Sequence, residues 1–307
     1  MLRLGTGLRG LGEAAVGTVG SRVADRAGRM DSTESHLVAT RPSGPPSEPR
    51  KSPWSGLFPT EHGAYGVLLF PIASALALPS VTGASWALAT AFVLGFLAHR
   101  ALLLVMGYRP GPPAARPRCL ALLLGFGAAS ASAAGLGAAL APPAARGAIA
   151  VPLLAVLALL ATFAARRERT LAGEILACLA LTTCSIPVAL AGGQGAPARA
   201  LTIALVWSLG LTTATVAVRS VIERRRGKGR FLGGAVVLIG AMAIGTLALL
   251  SREGLAPTHA ALALGPLVAL GLGLTVRPPH PRRLRAIGWS LVMASTLTLG
   301  IIVALLG

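Results

Sequence analysis

Residues 200–250 read ALTIALVWSLGLTTATVAVRSVIERRRGKGRFLGGAVVLIGAMAIGTLALL. Two apolar runs, 200–220 and 231–250, enclose the basic turn RRRGKGR at 224–230. An α-helix of about 20 apolar residues is long enough to cross a hydrocarbon core about 30 Å thick. The segment therefore predicts two membrane-crossing helices joined by a short basic loop.

The same pattern extends over most of the 307 residues. Apolar residues make up 54% of the chain, the mean hydropathy is +0.72, and charged residues are only 12%, whereas soluble domains carry roughly a quarter. Seven further apolar runs cover 63–79, 84–107, 118–141, 146–165, 171–192, 255–276 and 286–306. Proline- and glycine-containing breaks such as GYRPGPP (107–113) separate several of them. We therefore expect an all-α, polytopic membrane helical bundle with about nine transmembrane helices.

The placement of basic residues predicts the orientation of this bundle. With the N-terminus inside, sixteen basic residues lie in or beside the inside loops and three lie outside, namely Arg146, Arg199 and Arg252. The inside residues lie within 109–118, 166–169, 219–230 and 277–285. Short cytoplasmic loops carry an excess of Lys and Arg. The sequence thus favours an N-in, C-out protein in the plasma (inner) membrane of a bacterial cell, with a cytoplasmic N-terminus.

Residues 1–58 differ from the rest and predict a disordered basic tail, with the nine-helix transmembrane domain at 59–307. The tail holds eight of the 28 basic residues and five of the 10 acidic ones, and the stretch RPSGPPSEPRKSP (41–53) is typical of an extended linker. It contains no apolar run long enough for a signal-peptide core. Met30 is an alternative start of the chain.

The net charge of +18 does not favour nucleic acid as a partner. The basic residues stand between apolar runs, where they orient helices and contact anionic lipid headgroups. We therefore expect the lipid bilayer as the partner, with no nucleic acid; the sequence leaves the oligomeric state open.

Cys119, Cys178 and Cys184 lie at or inside apolar runs and form no C-x-x-C pair. No histidine stands at ligand spacing from them, so we expect reduced, buried packing residues. The sequence predicts no metal site and no cofactor.

Acidic residues are scarce outside the tail, where only Glu61, Glu168, Glu174, Glu223 and Glu253 occur. This scarcity excludes a mechanism that needs several clustered carboxylates around Mg²⁺. A charge inside a membrane helix usually faces the bundle interior or a wet cavity. Five residues at the predicted cytoplasmic end form the candidate ligand-binding pocket: Glu61, His62, Arg100, Glu174 and Arg219. The alternative is that these are interface charges that reach water and pair locally, as we expect for Glu223, which lies four residues after Arg219.

Small residues crowd the third and seventh runs, in GAASASAAGLGAAL (127–140) and GGAVVLIGAMAIG (233–245). Small residues four apart let helix backbones approach closely. We therefore expect these two helices in the interior of the bundle.

Four segments resemble the YwiC-like family of bacterial integral membrane proteins: PTEHGAYGVLLFPI (59–72), HRALLLV (99–105), RTLAGEILACLAL (169–181) and WSLGLTTATVAVRSVIERR (207–225). The resemblance covers most of 57–307 and excludes the tail. It implies no activity, because the family is essentially uncharacterised.

A more distant likeness is to the UbiA prenyltransferase fold, which also has nine helices, N-in and C-out. In that fold two aspartate-rich motifs bind Mg²⁺ and diphosphate on the cytoplasmic side. The matching segments here, 99–118 and 218–230, contain no aspartate. The resemblance therefore implies the architecture without the activity, and arginines there could bind a phosphate or carboxylate directly.

Three functions follow as alternatives. The favoured one is a non-enzymatic bundle that binds an anionic lipid, an isoprenoid or a partner protein at the cytoplasm-facing pocket. The second is a UbiA-like lipid- or prenyl-modifying enzyme with an altered active site, in which Glu61, His62 or Glu174 would act as acid–base groups. The third is a small secondary transporter, which would need paired broken helices and a polar site near the membrane midplane.

Overall fold

A computed structural model of the chain describes residues 62–108, 116–193, 196–224, 229–257, 259–280 and 284–306. These residues lie in one compact unit, Lys51–Gly307. They form eleven α-helices and, within the described ranges, no strand. The helices are α1 (His62–Leu76), α2 (Gly83–Val105), α3 (Arg116–Leu140), α4 (Pro143–Ala148), α5 (Ala150–Ala164), α6 (Leu171–Thr182), α7 (Ser185–Leu190), α8 (Ala196–Arg224), α9 (Gly229–Arg252), α10 (Ala260–Val276) and α11 (Leu284–Leu306).

The all-helical prediction is confirmed. Seven helical segments of the described chain are long and apolar enough to cross a membrane: Gly83–Val105, Arg116–Leu140, Pro143–Ala164, Leu171–Leu190, Pro197–Arg224, Leu232–Arg252 and Arg285–Leu306. Two shorter apolar helices, Gly63–Leu76 and Ala260–Val276, stand where the first and eighth runs were predicted. The count of nine crossings and the N-in orientation stay predictions, and the predicted tail lies outside the described residues.

Threonine side chains define where two of the helices begin. The Thr82 hydroxyl accepts a hydrogen bond from the Ser85 backbone N–H at the start of α2, and it donates to the Ala191 carbonyl at the end of α7. The Thr170 hydroxyl accepts from the Gly173 N–H at the start of α6. Such caps satisfy backbone donors that have no partner within the helix. The contact between Thr82 and Ala191 also joins the beginning of α2 to the end of α7.

Two apolar segments are interrupted. The segment Pro143–Ala164 is divided at Ile149 into α4 and α5, and Leu171–Leu190 is divided at Thr183 and Cys184 into α6 and α7. Each interruption lies three or four residues before a proline, Pro152 or Pro187. Proline lacks the backbone N–H for the bond to residue i−4 and clashes with that carbonyl, so it bends or breaks a helix. The interruptions therefore follow from proline placement, and α4 packs against α7.

Helix α8 lies at the centre of the bundle. In its most apolar window 67% of the residues are buried, and it packs against α1, α6, α7, α9, α10 and α11. Trp207 is fully buried on α8; its ring stacks on Phe70 of α1 at 5.6 Å between centroids. The indole N–H donates to the Ser74 hydroxyl at 2.8 Å, and that hydroxyl donates to the Phe70 carbonyl. A buried indole needs such a partner.

The predicted interior positions of the third and seventh helices are wrong. Only 6% of the apolar window of α3 is buried and 22% of that of α9. Among its exposed side chains α3 presents Leu120, Leu124, Leu136 and Leu140 on the outer surface of the bundle. Its small residues permit close packing against α2, where a Cβ on Gly137 would lie 2.8 Å from Leu88 and the Ser130 hydroxyl donates to the Ala91 carbonyl. Small residues permit close approach, but they do not determine how many neighbours a helix has.

Candidate functional site

The larger cavity of the described structure has a volume of about 420 Å³, within the range of about 300–1,000 Å³ typical of small-molecule sites. Its walls come from α1, α2, α3, α5 and α6, together with Ile149 between α4 and α5. They are predominantly apolar; His99 and Arg100 are the basic side chains among the described lining residues, and the Cys184 thiol also lines the cavity. A cavity with these walls suits a mostly hydrocarbon ligand.

The cavity is long. Its lining residues on α2 run from Leu88 to Leu103, which at 1.5 Å rise per residue spans ~22 Å of helix. Half of a bilayer's hydrocarbon core is ~15 Å. The cavity is therefore long enough for the tail of a membrane lipid.

The mouth of the cavity lies on the side of the bundle. Leu153 and Val156 of α5 line the cavity, and their side chains are 54% and 39% exposed. Helix α3 packs along α2 and α5 packs along α6, while α3 and α5 share at most a marginal contact in the described residues. We infer from the sparse contact between α3 and α5 that the cavity opens between these two helices.

Aromatic rings and the two basic side chains gather at one end of this cavity. The His99 ring lies 5.5 Å from Phe163 and 6.5 Å from Phe96, measured between centroids. Tyr65 of α1 packs edge-on against Phe96 at 5.2 Å. His99 and Arg100 lie near the end of α2, and Phe163 lies at the end of α5. We call His99, Arg100, Phe96 and Phe163 the ring cluster.

A second group of ionisable side chains joins α6 to α8. Arg219 Nη1 donates to Glu174 Oε1 at 2.7 Å, and Arg219 Nε lies 3.4 Å from Glu223 Oε1. The Arg219 and Glu174 side chains are 26% and 33% exposed, and that of Glu223 is 13% exposed. Glu174 and Arg219 border a smaller cavity of about 260 Å³ between α1, α6, α8 and α11. We call these three residues the ion-pair cluster.

The structure brings two of the five predicted pocket residues into contact, Glu174 and Arg219. Arg100 lines the larger cavity, whereas Glu174 and Arg219 line the smaller one. Both cavities use α1 and α6 as walls. Glu61 and the side chain of His62 lie outside the described residues, so convergence of all five on one pocket stays a prediction.

Sequence reasoning missed His99 as a site residue, together with Phe96 and Phe163. The chain has only seven phenylalanines, and this scarcity could have marked each of them as a candidate. Three of the seven, Phe92, Phe96 and Phe163, line this cavity. Phe96 and His99 are close in sequence, but Phe163 comes from another helix, and its place beside them follows from tertiary packing alone.

The cysteines are buried and free, as the sequence predicts. Cys178 of α6 lies 3.3 Å from the Thr215 hydroxyl of α8, and Cys184 donates to the Ala180 carbonyl. Within the described part of the chain, no group of three or more His, Cys, Asp and Glu side chains is placed to hold a metal ion. The contact of Cys178 with Thr215 contributes to the packing of α6 against α8, while Cys184 lines the larger cavity.

The apolar segments and the side-opening cavity indicate a class: an all-helical, membrane-embedded protein. Within that class, residues 58–189 match the model of the YwiC-like protein family. The resemblance predicted on 59–72, 99–105 and 169–181 is thereby confirmed, while that on 207–225 lies beyond the matched residues and stays a prediction. No curated protein and no solved structure matches the chain, and the likeness to the UbiA fold stays a prediction.

Proposed function

We propose that this YwiC-like protein crosses the membrane nine times and binds one membrane amphiphile in its larger cavity. The amphiphile has a long hydrocarbon tail, of a lipid or an isoprenoid, which lies along α2. Its oxygen-bearing head lies at the ring cluster, where His99 and Arg100 can donate hydrogen bonds. The observation that carries the proposal is the apolar cavity with its mouth between α3 and α5.

Contacts between helix ends support the crossing number. Arg224 at the end of α8 donates to the Thr275 carbonyl near the end of α10 at 2.5 Å. Because α8 and α10 finish at the same end of the bundle, α9 must return the chain between them. The short α10 then runs the length of its neighbours, packed against α8, α9 and α11. Nine crossings also place the sixteen basic loop residues on one side.

The lining of the cavity favours binding over diphosphate chemistry of the UbiA kind. The described lining residues include no Asp or Glu, and Mg²⁺ in such sites is held by carboxylates together with substrate phosphates. Glu174, which borders the smaller cavity, is already paired with Arg219. We therefore propose a non-enzymatic role and a cytoplasmic location for the ring cluster.

A transporter, the third alternative from the sequence, is the second candidate because two consecutive apolar segments are interrupted and α4 of one packs against α7 of the other. Interrupted helices can expose backbone groups to a substrate. Near the interruption of α6 and α7, Thr182 lies 2.7 Å from the Ser208 hydroxyl. That hydroxyl of Thr182 and the hydroxyl of Ser185 are satisfied within the bundle. This candidate requires a polar path that reaches both faces of the membrane.

Blocking the mouth tests the proposed binding function. Leu153→Trp fills the mouth between α3 and α5, whereas Leu154→Trp adds the same side chain at the adjacent residue, which is 65% exposed and does not line the cavity. Native mass spectrometry of the full chain released from nanodiscs should show a retained amphiphile in the wild type and in Leu154→Trp. It should show loss of that amphiphile in Leu153→Trp. Equal retention in both variants, or no retained amphiphile in the wild type, would contradict the proposal.

A further inference from the structure

The amphiphile of the proposed function has a recognisable head. We propose that this head is an uncharged planar ring that carries an oxygen acceptor, of the quinone kind, and that it lies against the ring cluster. The inference rests on the proposed function, since it names the chemistry of the ligand that the larger cavity takes. Three observations lead to it.

The first observation is the concentration of aromatic side chains. Aromatic residues make up only 4% of the chain, yet three phenylalanines and the His99 imidazole line one cavity. An apolar tail needs no aromatic wall, because aliphatic side chains fill that role elsewhere in the same cavity. Aromatic faces and edges pair favourably with other rings at 4.5–7 Å between centroids. A ring-bearing head is the ligand feature that such a wall recognises.

The second observation is the support behind these rings. Tyr65 packs edge-on against Phe96, with an interplanar angle of 81°. Phe163 is 9% exposed and contacts the His99 ring at an angle of 57°. The rings therefore belong to a packed cluster contributed by α1, α2 and α5, which reduces the freedom lost when a flat head binds.

The third observation is the balance of charge. Among the described lining residues Arg100 is the only one with a permanent charge. A phosphate monoester carries about −1.5 to −2 charges at neutral pH, and a diphosphate carries more. One guanidinium would leave net negative charge in apolar surroundings, which is costly. An uncharged head adds no charge to these surroundings and needs only one or two hydrogen-bond donors.

The geometry of the donors also fits an acceptor oxygen on a ring. Arg100 offers a planar fork of N–H groups that also stacks on planar groups, and the imidazole of His99 offers a single N–H beside Phe163. Both residues stand next to each other on α2, at the end of the cavity opposite Leu88. A ring oxygen can thus reach a donor while the attached tail extends toward Leu88.

Probes with one tail and different heads test the inference. Isothermal titration calorimetry on the full chain in nanodiscs would compare a decyl-substituted benzoquinone, decanoate and decyl phosphate. We expect the benzoquinone to bind at least tenfold more tightly than the other two. This wild-type comparison needs no variant to fold.

A matched pair of substitutions locates the preference. Phe163→Leu removes a ring of the cluster, whereas Phe126→Leu on α3 removes a ring that does not line the cavity. Phe163→Leu should weaken benzoquinone binding about tenfold and leave decanoate binding unchanged, and Phe126→Leu should change neither. Equal loss for both probes would contradict a role of the ring in head recognition.

The outcomes separate this inference from the proposed function. If the three probes bind equally and Leu153→Trp weakens all of them, the ring-head inference is wrong and the proposed function stands. If decyl phosphate binds most tightly, the head is anionic and the inference is likewise wrong. If Leu153→Trp alters no probe's binding, the proposed function itself is wrong.

Discussion

At the scale of single residues, the ion-pair cluster shows what sequence spacing can predict. Arg219 and Glu223 are four apart on one helix, so their contact follows from helical geometry. The contact of Glu174 with Arg219 joins two helices 45 positions apart. The sequence could place both residues at one end of the bundle, but their pairing depends on how α6 packs against α8. For the same reason Phe163 could not be placed beside His99.

Glu174→Gln should destabilise the protein modestly. The pair is about one-quarter to one-third exposed, and pairs of this kind contribute about 0.2–1 kcal/mol. A double-mutant cycle with Arg219→Gln, measured by denaturation in mixed micelles, should give a coupling energy in that range. Glu253→Gln, at an exposed position directly after α9, serves as the control and should not change the stability. Strict additivity of Glu174→Gln and Arg219→Gln would show that the contact does not matter.

Trp207→Phe should lower the free energy of unfolding by more than Glu174→Gln does. The substitution keeps the stacked ring on Phe70 but removes the indole N–H that donates to Ser74. A lost buried hydrogen bond of this type costs about 0.5–1.5 kcal/mol, and the smaller ring adds a void. Trp289→Phe is the matched control because Trp289 is 62% exposed. A lower unfolding temperature is expected for Trp207→Phe alone; equal shifts in both variants would refute the role of the Ser74 contact.

At the scale of elements, small residues proved a poor guide to which helix is interior. A better signal was present in α8, where Thr202, Ser208, Thr213 and Ser220 are all buried. Hydroxyl side chains within membrane helices can hydrogen-bond to neighbouring helices, as that of Ser208 does with Thr182 of α6. Each of these hydroxyls except that of Ser208 donates to a carbonyl of its own helix. The polar face of α8 therefore indicates its central position.

Gly173→Ala should weaken the start of α6. A Cβ at this position would lie 2.6 Å from the Arg167 carbonyl oxygen and 2.9 Å from that of Glu168. These are backbone atoms, so relief requires movement of the loop, and overpacking of this kind costs about 1–3 kcal/mol. Gly245→Ala on α9 is the matched control, because its Cβ would meet open space.

Buried free cysteines supply a readout for this comparison. In a Cys184→Ala background, which removes the thiol that lines the larger cavity, a thiol-reactive dye labels Cys119 and Cys178 only when the helices separate, so the labelling temperature reports unfolding. We expect a lower labelling temperature for Gly173→Ala and an unchanged or higher one for Gly245→Ala, since alanine restricts the unfolded chain. The reverse order would contradict the close approach at α6.

At the scale of the whole molecule, the apolar runs predicted nearly all of the helical segments. They could not predict the interruptions at Ile149 and Thr183, because a proline within an apolar run either bends or breaks a helix depending on its neighbours. The runs also could not settle whether α10, with 17 residues, crosses the membrane. Such a helix is ~26 Å long, slightly less than the hydrocarbon core.

Accessibility labelling tests this crossing. In a variant without the native cysteines, Arg252→Cys places a thiol at the end of α9, before α10, and Arg277→Cys places one directly after α10, both at exposed positions. If α10 crosses, a membrane-impermeant reagent added outside labels residue 252 and leaves residue 277 unlabelled. Lys228→Cys, in the predicted inside loop, should behave as residue 277 does. Labelling of residues 252 and 277 from the same side would show that α10 does not cross the membrane. The C-terminal end of α11 would then lie on the opposite side from the one predicted.

The gap between α3 and α5 has a consequence for how occupancy is controlled. A molecule that enters through it never passes through water, so its binding depends on its mole fraction among the surrounding lipids. Diluting the sample with buffer would leave the amphiphile bound, whereas adding vesicles that contain none of it would remove it from the cavity. The fraction of protein with an occupied cavity would then follow the lipid composition of the surrounding bilayer.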